Sequence, residues 1–264
     1  MKNTLYLSIL AAALMGGQVF AAVIPTTTDA NEEGNRFYVG EYSQTADVSG
    51  ANVTINEEPE GGDDFSGSRV YGGYTGGEQT TASNNSVTMT GGQVANVVGG
   101  YSSSGDASDN KITMTGGQVK NLYGGEGNTT ASRNTVIMTG GKLTSSLRGG
   151  HSTAEETPLV EKNVVIVAGN SEITGNLYGG YSSHGYAKDN KVYLVGKGAT
   201  ATITDAQGIT KTYDGGNITL KAVYAGQGDS SLDNNSIDNS IDIYGTGITA
   251  SSYVEDMQVL NFHI

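Results

Sequence analysis

Two short motifs recur along this chain of 264 residues with a shared period of about 25 residues. The first is a glycine pair in segments such as VYGGY and LYGGYS. Its first glycine lies at 72, 99, 124, 149 and 179, so the steps are 27, 25, 25 and 30 residues. The second, N-x-V-x-M-T-G-G, starts at Asn85, Asn110 and Asn134 and returns in a looser form at Asn163 and Asn190. Two motifs with one period indicate a repeat architecture, in which every unit packs against its neighbours.

Each unit alternates polar and apolar residues, as a half-buried strand does. In NSVTM, Val87 and Met89 point to one side, and QVANVV forms a second strand with Val94 and Val97 inside. Such short strands bury no core alone, whereas stacked copies pair in parallel and share one. The sequence therefore predicts an all-β fold, a single-stranded parallel β-helix (β-solenoid), in preference to a β-propeller or sandwich. Six glycine motifs and the strand NSIDIY from Asn239 predict about seven coils.

Composition and charge exclude several classes of protein. The chain has 40 Gly but only 3 Pro and no Cys, which excludes collagen, a disulfide scaffold, a thiolate metal site and a cysteine nucleophile. The net charge is −13, and it becomes 13 − 27 = −14 if Lys2 is removed with a leader. Such a charge repels phosphate backbones and anionic lipid surfaces, so we expect no nucleic-acid partner.

The sequence divides into four segments. Residues 1–22 have a short positive start, an apolar run and a small-residue ending, which predicts a signal peptide for Sec export. Residues 23–51 have little periodicity and predict a weakly structured leader or N-terminal cap. The β-helix repeats occupy 52–250, and a tail follows at 251–264. The extra residues at about 198–216 predict a hairpin or loop that projects from the rod, where binding surfaces often lie.

Stacked repeats place equivalent residues above one another. The motif asparagines predict a structural amide ladder of Asn85, Asn110, Asn134, Asn163, Asn190 and Asn239. In the column before each glycine pair, Arg148 lies between Tyr123 and Tyr178, which predicts cation–π stacking; the alternative is an aromatic strip that binds sugar rings. The column after the glycines is more variable. We expect this column to be more exposed and to be a candidate contact surface. Its residues of interest are Tyr74, Tyr101, His151 and Tyr181, and it also contains Glu126 and Gln227.

The sequence contains no strong catalytic or metal-binding motif. The three histidines, His151, His184 and His263, have no metal-site spacing, and no G-x-S-x-G turn follows a strand. Acidic residues at Asp229, Asp233, Asp238 and Asp242 weakly resemble calcium-binding repeats, but solvated turn acids are the better interpretation. No arginine has an evident acidic neighbour at the same position of an adjacent unit. We therefore expect no cofactor, no metal and no enzymatic activity.

Together, the N-x-V-x-M-T-G-G strand, the V-Y-G-G-Y segment, the polar turn and the leader resemble the passenger region of bacterial autotransporters (type V secretion). The likeness covers roughly Asn52 to Ile248, and the tail YVEDMQVLNFHI is similar to the segment that closes such passengers. The resemblance implies a right-handed parallel β-helix on, or shed from, a Gram-negative cell, commonly an adhesin. The sequence lacks the alternating strands of the family's translocator barrel, so we expect membrane attachment only through a separate translocator.

The leading functional expectation is adhesion or self-association of an exported protein at the cell surface, in the medium or in the periplasm. The expected partners are host or bacterial surface glycans or proteins, or another copy of the chain. Two alternatives remain open at this stage: a polysaccharide-cleaving β-helix enzyme, and a truncated autotransporter remnant without an independent role.

Overall fold

The structure is a computed structural model that describes residues 22–23, 29–30, 36–55, 67–251 and 259–263. The predicted signal peptide lies outside these residues, apart from Ala22. Within them there is no α-helix, and therefore none with the length and apolar character of a membrane crossing.

The chain forms two sheets, one of 17 strands and one of seven. In chain order the strands are β1 (Ala22–Val23), β2 (Asp29–Ala30), β3 (Arg36–Ser43), β4 (Val48–Ser49), β5 (Asn52–Ile55), β6 (Arg69–Thr75), β7 (Ala82–Ser83), β8 (Ser86–Met89), β9 (Gln93–Ser102), β10 (Ala107–Ser108), β11 (Lys111–Met114), β12 (Gln118–Gly127), β13 (Thr130–Ser132), β14 (Thr135–Ser152), β15 (Leu159–Glu161), β16 (Val164–Ser182), β17 (Tyr186–Lys188), β18 (Lys191–Val195), β19 (Thr200–Thr204), β20 (Thr210–Gln227), β21 (Ser236–Ile237), β22 (Ser240–Tyr244), β23 (Ile248–Ala250) and β24 (Val259–His263).

Equivalent strands of successive units pair in parallel and in register. Val87 of β8 pairs with Ile112 of β11, which pairs with Val136 of β14. The same stacking continues through β16, β18 and β22. The seven-stranded sheet contributes one short strand per coil, in the order β4, β7, β10, β13, β15, β17 and β21. The prediction of a parallel β-helix is confirmed, and β23 and β24 pair in parallel with β20 and β22 beyond the seven coils that carry a glycine motif.

The first coil is not where the sequence placed it. NSIDIY belongs to the same coil as the glycine motif at 223–227, and the additional coil consists of β3, β4 and β5 at the N-terminal end; we number the coils 1 to 7 from that end. Residues 36–51, expected to be a weakly structured leader, are thus mostly part of the rod. They escaped recognition because YVGEY has Glu41 in place of the second glycine, and because Ala51 stands where the asparagine does in later coils.

Apolar side chains from every coil fill the interior of the rod. The stacked columns include Val87, Ile112, Val136 and Val165, each at most 1% exposed, beside Met89, Met114 and Met138 at 0%. A rod one coil wide needs few such residues, which explains how a chain with 36% hydrophobic residues still builds a continuous core.

The predicted asparagine ladder is confirmed. All six side chains are buried, and from Asn110 onward each Oδ1 accepts from the backbone N–H and the Nδ2 of the asparagine one coil earlier, whereas Asn85 Oδ1 accepts from the N–H of Ala51. For Asn110 and Asn134 both distances are 3.0 Å. The Nδ2 of Asn134 also donates to the carbonyl of Ala107, at 3.0 Å. Each amide is therefore satisfied by the coils around it, which offsets the cost of burying it.

The glycine pairs exist because both glycines face this ladder. A Cβ on the first glycine of a pair, such as Gly99, would lie under 3.0 Å from the carbonyl of Gly124 one coil later. A Cβ on the second, such as Gly100, would lie under 3.0 Å from the amide of Asn110. The two motifs keep one period because the glycines of one make room for the asparagine of the other.

The insertion forms a hairpin, as predicted, but it does not project from the rod. β19 pairs antiparallel with the start of β20, from Thr200 opposite Asp214 to Thr204 opposite Thr210. Ala201, Ile203 and Tyr213 are buried against the outer face of β14, β16 and β18, in a second apolar cluster with Ile137, Val164, Ile166, Ala168 and Val195. The expected projection is wrong because these strands are apolar on both faces, and the hairpin covers the outer one.

The tip of the hairpin is fixed to earlier coils. Lys111 Nζ lies 2.5 Å from Asp205 Oδ2, and the Asp205 side chain is 1% exposed. Thr135 Oγ1 donates to Gln207 Oε1 at 2.7 Å and accepts from the N–H of Ala206 at 3.1 Å. The hairpin leaves the rod beside β18 and reaches back across three coils.

Candidate contact surface

A strip of mostly aromatic side chains runs along one side of the rod, from two columns that flank the glycine pairs. The column before the glycines contains Val39, Tyr71, Val98, Tyr123, Arg148, Tyr178 and Tyr224 in register. The column after them contains Tyr42, Tyr74, Tyr101, Glu126, His151, Tyr181 and Gln227. We call these two columns the tyrosine strip.

Both columns point outward on the same side, although strict alternation would place residues three apart on opposite faces. Both intervening glycines face inward instead, so the flanking residues share the outer face. The rings of Tyr71 and Tyr74 consequently meet edge to face, with centroids 5.4 Å apart. The sequence prediction of two separate columns is thus replaced by one continuous strip.

In coils 1 to 3 the tyrosine rings stack face to face along the rod. Tyr42 and Tyr74 have centroids 5.3 Å apart, and Tyr74 and Tyr101 are 4.8 Å apart. Tyr42 is 54% exposed, whereas Tyr74 and Tyr101 are half-buried. Sequence reasoning missed Tyr42 because it lies in the segment expected to be a leader. The missed signal is Y-V-G-E-Y, which keeps the first glycine and the final tyrosine of V-Y-G-G-Y at the same spacing.

In coils 4 to 7 an arginine joins the rings. The Arg148 guanidinium carbon lies 5.1 Å from the ring centroid of Tyr123, 5.5 Å from that of Tyr178 and 4.0 Å from that of Tyr181. Tyr178 also stacks on Tyr224, with centroids 4.8 Å apart. The predicted cation–π stack is confirmed, and it includes a third ring from the neighbouring column.

His151, predicted as a contact residue, is buried instead, with 6% exposure. Its ring lies 4.6 Å from that of Tyr123 and 5.8 Å from that of Tyr181, and its Nδ1 is 3.5 Å from Glu126 Oε1. Burial lowers the pKa of His151 and the nearby Arg148 lowers it further, while Glu126 opposes both. The imidazole therefore packs as a neutral ring between its neighbours. Tyr74, Tyr101 and Tyr181 remain partly accessible as predicted.

The phenols of Tyr71, Tyr74, Tyr101 and Tyr123 stay protonated at neutral pH. Burial, followed by the nearby Glu126 carboxylate, raises the pKa of Tyr101 to about 12. Burial also raises the pKa of Tyr71, Tyr74 and Tyr123. The strip therefore offers neutral hydroxyl groups that both donate and accept hydrogen bonds.

The stacking limits what the strip can bind. Tyr74 has Tyr42 over one face and Tyr101 over the other, so neither ring face is open to a sugar ring. A ligand on coils 1 to 3 would meet ring edges, phenol hydroxyls and the outer face of Tyr42. This arrangement favours a flat partner that contacts several coils at once, rather than a single sugar inserted between two rings.

A shallow polar groove of about 670 Å³ lies on another side, where the T-G-G turns stack. It is lined by Gly117, Gln118, Gly141, Lys142, Asn170, Ser171, Glu172, Asn217 and Thr219. Lys142 Nζ and Glu172 Oε1 pair across adjacent coils at 2.7 Å. Its amide, hydroxyl and paired charged groups make a second, neutral surface for polar ligands.

Charged side chains do pair between adjacent coils, contrary to the expectation for arginine. Arg133 binds Asp109 of the preceding coil through two bonds, Nε to Oδ1 at 2.8 Å and Nη2 to Oδ2 at 2.5 Å. The two positions directly precede ladder asparagines, so they stack, which the sequence reasoning overlooked. The pair is partly exposed.

The other chemically notable residues are dispersed. His184 contacts Ser183, while His263 stacks on Tyr244 and lies 3.1 Å from Asp242. Asp229 accepts from the N–H of Ser231 in a separate turn. Among the residues that the structure describes, no three His, Asp or Glu side chains are grouped to hold a metal ion.

Comparison with known proteins gives no relative for this architecture: no protein-family model, no curated protein and no solved structure matches the chain.

Proposed function

We propose that the chain is an exported, non-enzymatic β-solenoid that acts in adhesion or self-association, comparable with an autotransporter passenger. The observation that carries this proposal is the tyrosine strip, because seven stacked coils align side chains into one long and rigid contact face. Such a face meets a partner at many equivalent points, so weak contacts add without a large loss of conformational entropy.

The composition of the surface agrees with this role. The strip combines aromatic bodies with neutral hydroxyls, and aromatic side chains are enriched where proteins bind one another. The polar groove offers a second surface without net charge. We propose surface glycans or proteins as the partners, reached at the bacterial surface or in the medium after Sec export.

The test uses the mature chain, residues 23–264, coupled to beads. Beads are offered panels of neutral and acidic glycans, matrix proteins and soluble copies of the same chain, and binding and clumping are measured. We expect binding to at least one partner and a weaker response for Tyr42→Ser. The matched control is Ile209→Ser, because Ile209 is 45% exposed on the hairpin and lies outside the strip.

Absence of binding and of clumping across all panels would reject the proposal. Release of reducing or unsaturated ends from any polysaccharide would replace it with the enzymatic alternative. Export is checked separately, by digesting intact cells with a protease and following the loss of the chain: protection inside the cell would reject surface display.

A further inference from the structure

Arg148, in coil 5 of the tyrosine strip, carries a positive charge without an acidic partner. Within the described residues it forms no ion pair, whereas Arg133 binds both carboxylate oxygens of Asp109. The Nε of Arg148 is buried and has no hydrogen-bond partner there. The chain has 27 acidic residues against 14 basic ones, so this absence does not come from a shortage of carboxylates. A buried donor without an acceptor indicates a partner that the chain itself does not supply.

The rings around Arg148 attract its charge but leave its donors unsatisfied. The guanidinium carbon lies 4.0 Å from the ring centroid of Tyr181, and 5.1 Å and 5.5 Å from those of Tyr123 and Tyr178. A ring face attracts a cation, yet it accepts hydrogen bonds only weakly, and a guanidinium has five N–H donors. The Arg148 side chain is partly exposed, so a ligand can reach it from solvent.

A second unsatisfied group lies beside the same tyrosine. His151 is 6% exposed, and its ring centroid is 5.8 Å from that of Tyr181. Neither of its ring nitrogens has a hydrogen-bond partner among the described residues, since Glu126 Oε1 is 3.5 Å from Nδ1, longer than an ordinary hydrogen bond. Arg148 extends towards Tyr181 of coil 6, whereas Glu126 belongs to coil 4. A hydrogen-bond acceptor beside Tyr181 therefore has donors nearby and is two coils from the Glu126 carboxylate.

Tyr181 also differs from the tyrosines of coils 1 to 3 in what stacks on it. Tyr74 has a tyrosine ring over each face. The residue in register with Tyr181 one coil later is Gln227, so no aromatic ring of its column follows it. Tyr181 and Gln227 are both partly exposed, and they offer a phenol and an amide to the hydroxyl groups of a ligand. Coils 5 to 7 thus combine a cation with neutral hydrogen-bonding groups.

We propose that Arg148, His151, Tyr181 and Gln227 form a binding site for a carboxylated sugar. Arg148 binds the carboxylate through the paired N–H donors that match its two oxygens, and Tyr181 and Gln227 bind the sugar hydroxyls. The inference rests on the proposed adhesive function and names one chemical class among its glycan partners. An acidic protein surface fits less well, because its many carboxylates meet a net charge of −13, whereas one sugar unit brings a single carboxylate among hydroxyls.

The first test compares matched sugars on the wild-type mature chain, residues 23–264. Glucuronic acid is compared with glucose, and sialyllactose with lactose, because each neutral sugar lacks the carboxylate. Binding is measured by titration followed by NMR. We expect each carboxylated sugar to bind at least about tenfold more tightly than its neutral counterpart, as a hydrogen-bonded charge pair requires.

The second test changes the arginine. Arg148→Gln should reduce the binding of both carboxylated sugars to the level of the neutral ones. Arg148→Lys keeps the charge without the planar fork and should bind at an intermediate level. The matched control is Arg133→Gln, which removes an arginine that lies outside the strip and already pairs with Asp109, and it should bind as wild type does. Thermal unfolding of each variant separates loss of binding from loss of the fold.

Equal affinity of the wild-type chain for a carboxylated sugar and its neutral counterpart would overturn the inference without any variant. Equal losses for Arg148→Gln and Arg133→Gln would overturn it as well. If an aspartate peptide binds and neither sugar acid does, the site belongs to acidic proteins and the sugar assignment is wrong. In all three cases, beads that still bind neutral glycans, matrix proteins or copies of the chain leave the proposed function in place.

Discussion

The outer faces of coils 2 and 3 differ from those of coils 4 and 5, although the same strand of the repeat builds both. In β8 and β11 the outward residues are Thr88 and Thr113, which are partly exposed. In β14 and β16 they are Ile137 and Ile166, at 4% and 0% exposure under the hairpin. The inner face of each solenoid strand is apolar because it packs in the core of the rod. The outer face is apolar only where another part of the chain covers it.

Removing the hairpin that covers β14, β16 and β18 should have the largest effect on stability. Replacing residues 200–214 by a short Gly/Ser link would expose Ile137, Val164 and Ile166. We expect the free energy of unfolding to fall by about 4 kcal/mol. Burial contributes roughly 1.5–3 kcal/mol for each large apolar side chain, and the entropy cost of ordering the hairpin is subtracted from that sum. Calorimetry and binding of a hydrophobic dye measure both consequences. Unchanged dye binding would contradict the covering role.

Exchanging residue types between the two regions should sharpen the contrast. Ile166→Thr places a hydroxyl in the apolar cluster and should cost about 2–3 kcal/mol. The matched change Thr113→Ile lies at the equivalent exposed site and should stay within about 0.5 kcal/mol of wild type. Chemical denaturation of both variants compares them directly, and equal losses would show that the two faces do not differ.

Ion pairs in the two regions should also differ. Asp205→Asn removes the buried partner of Lys111 at the hairpin tip and should cost about 2 kcal/mol, because Lys111 keeps a charge at a partly buried site. Asp109→Asn breaks the more exposed pair with Arg133 and should cost at most about 1 kcal/mol. The free energies of unfolding at low and high salt test this, and we expect the smaller effect to fade with salt.

The smallest effect concerns two histidines in different surroundings. Burial holds the pKa of His151 below its ordinary value of 6.5, so the unfolded chain takes up this proton at a higher pH than the folded chain does. The neutral His151 therefore stabilises the fold fully above pH 6.5, and that stability is lost as the pH falls from 6.5 toward the lowered pKa. His151→Gln should flatten the pH dependence of Tm in this range.

The control is His184→Gln, because His184 is exposed in a polar turn. A similar flattening in both variants would show that the burial of His151 has no consequence for stability.

Most of the repeat could be predicted from the sequence because its contacts are repeated. The asparagine ladder follows from the period, since residues one period apart must stack. The position of Arg148 between Tyr123 and Tyr178 follows in the same way. The first coil could not be recognised by the same rule, because Glu41 and Ala51 replace both of its diagnostic residues. The structure explains the two replacements together, because the second glycine of a pair lies against the ladder asparagine and coil 1 has neither residue.

The sequence by itself determined the period and the direction of the inward apolar side chains of the repeated motifs, because these depend on contacts between equivalent units. Only the tertiary structure decided where the hairpin lies, since its contacts join residues about 70 to 94 positions apart that share no motif. It also decided that two tyrosine columns form one strip and that His151 is buried within it. Both depend on the inward turn of two adjacent glycines, a backbone geometry that residue spacing does not reveal.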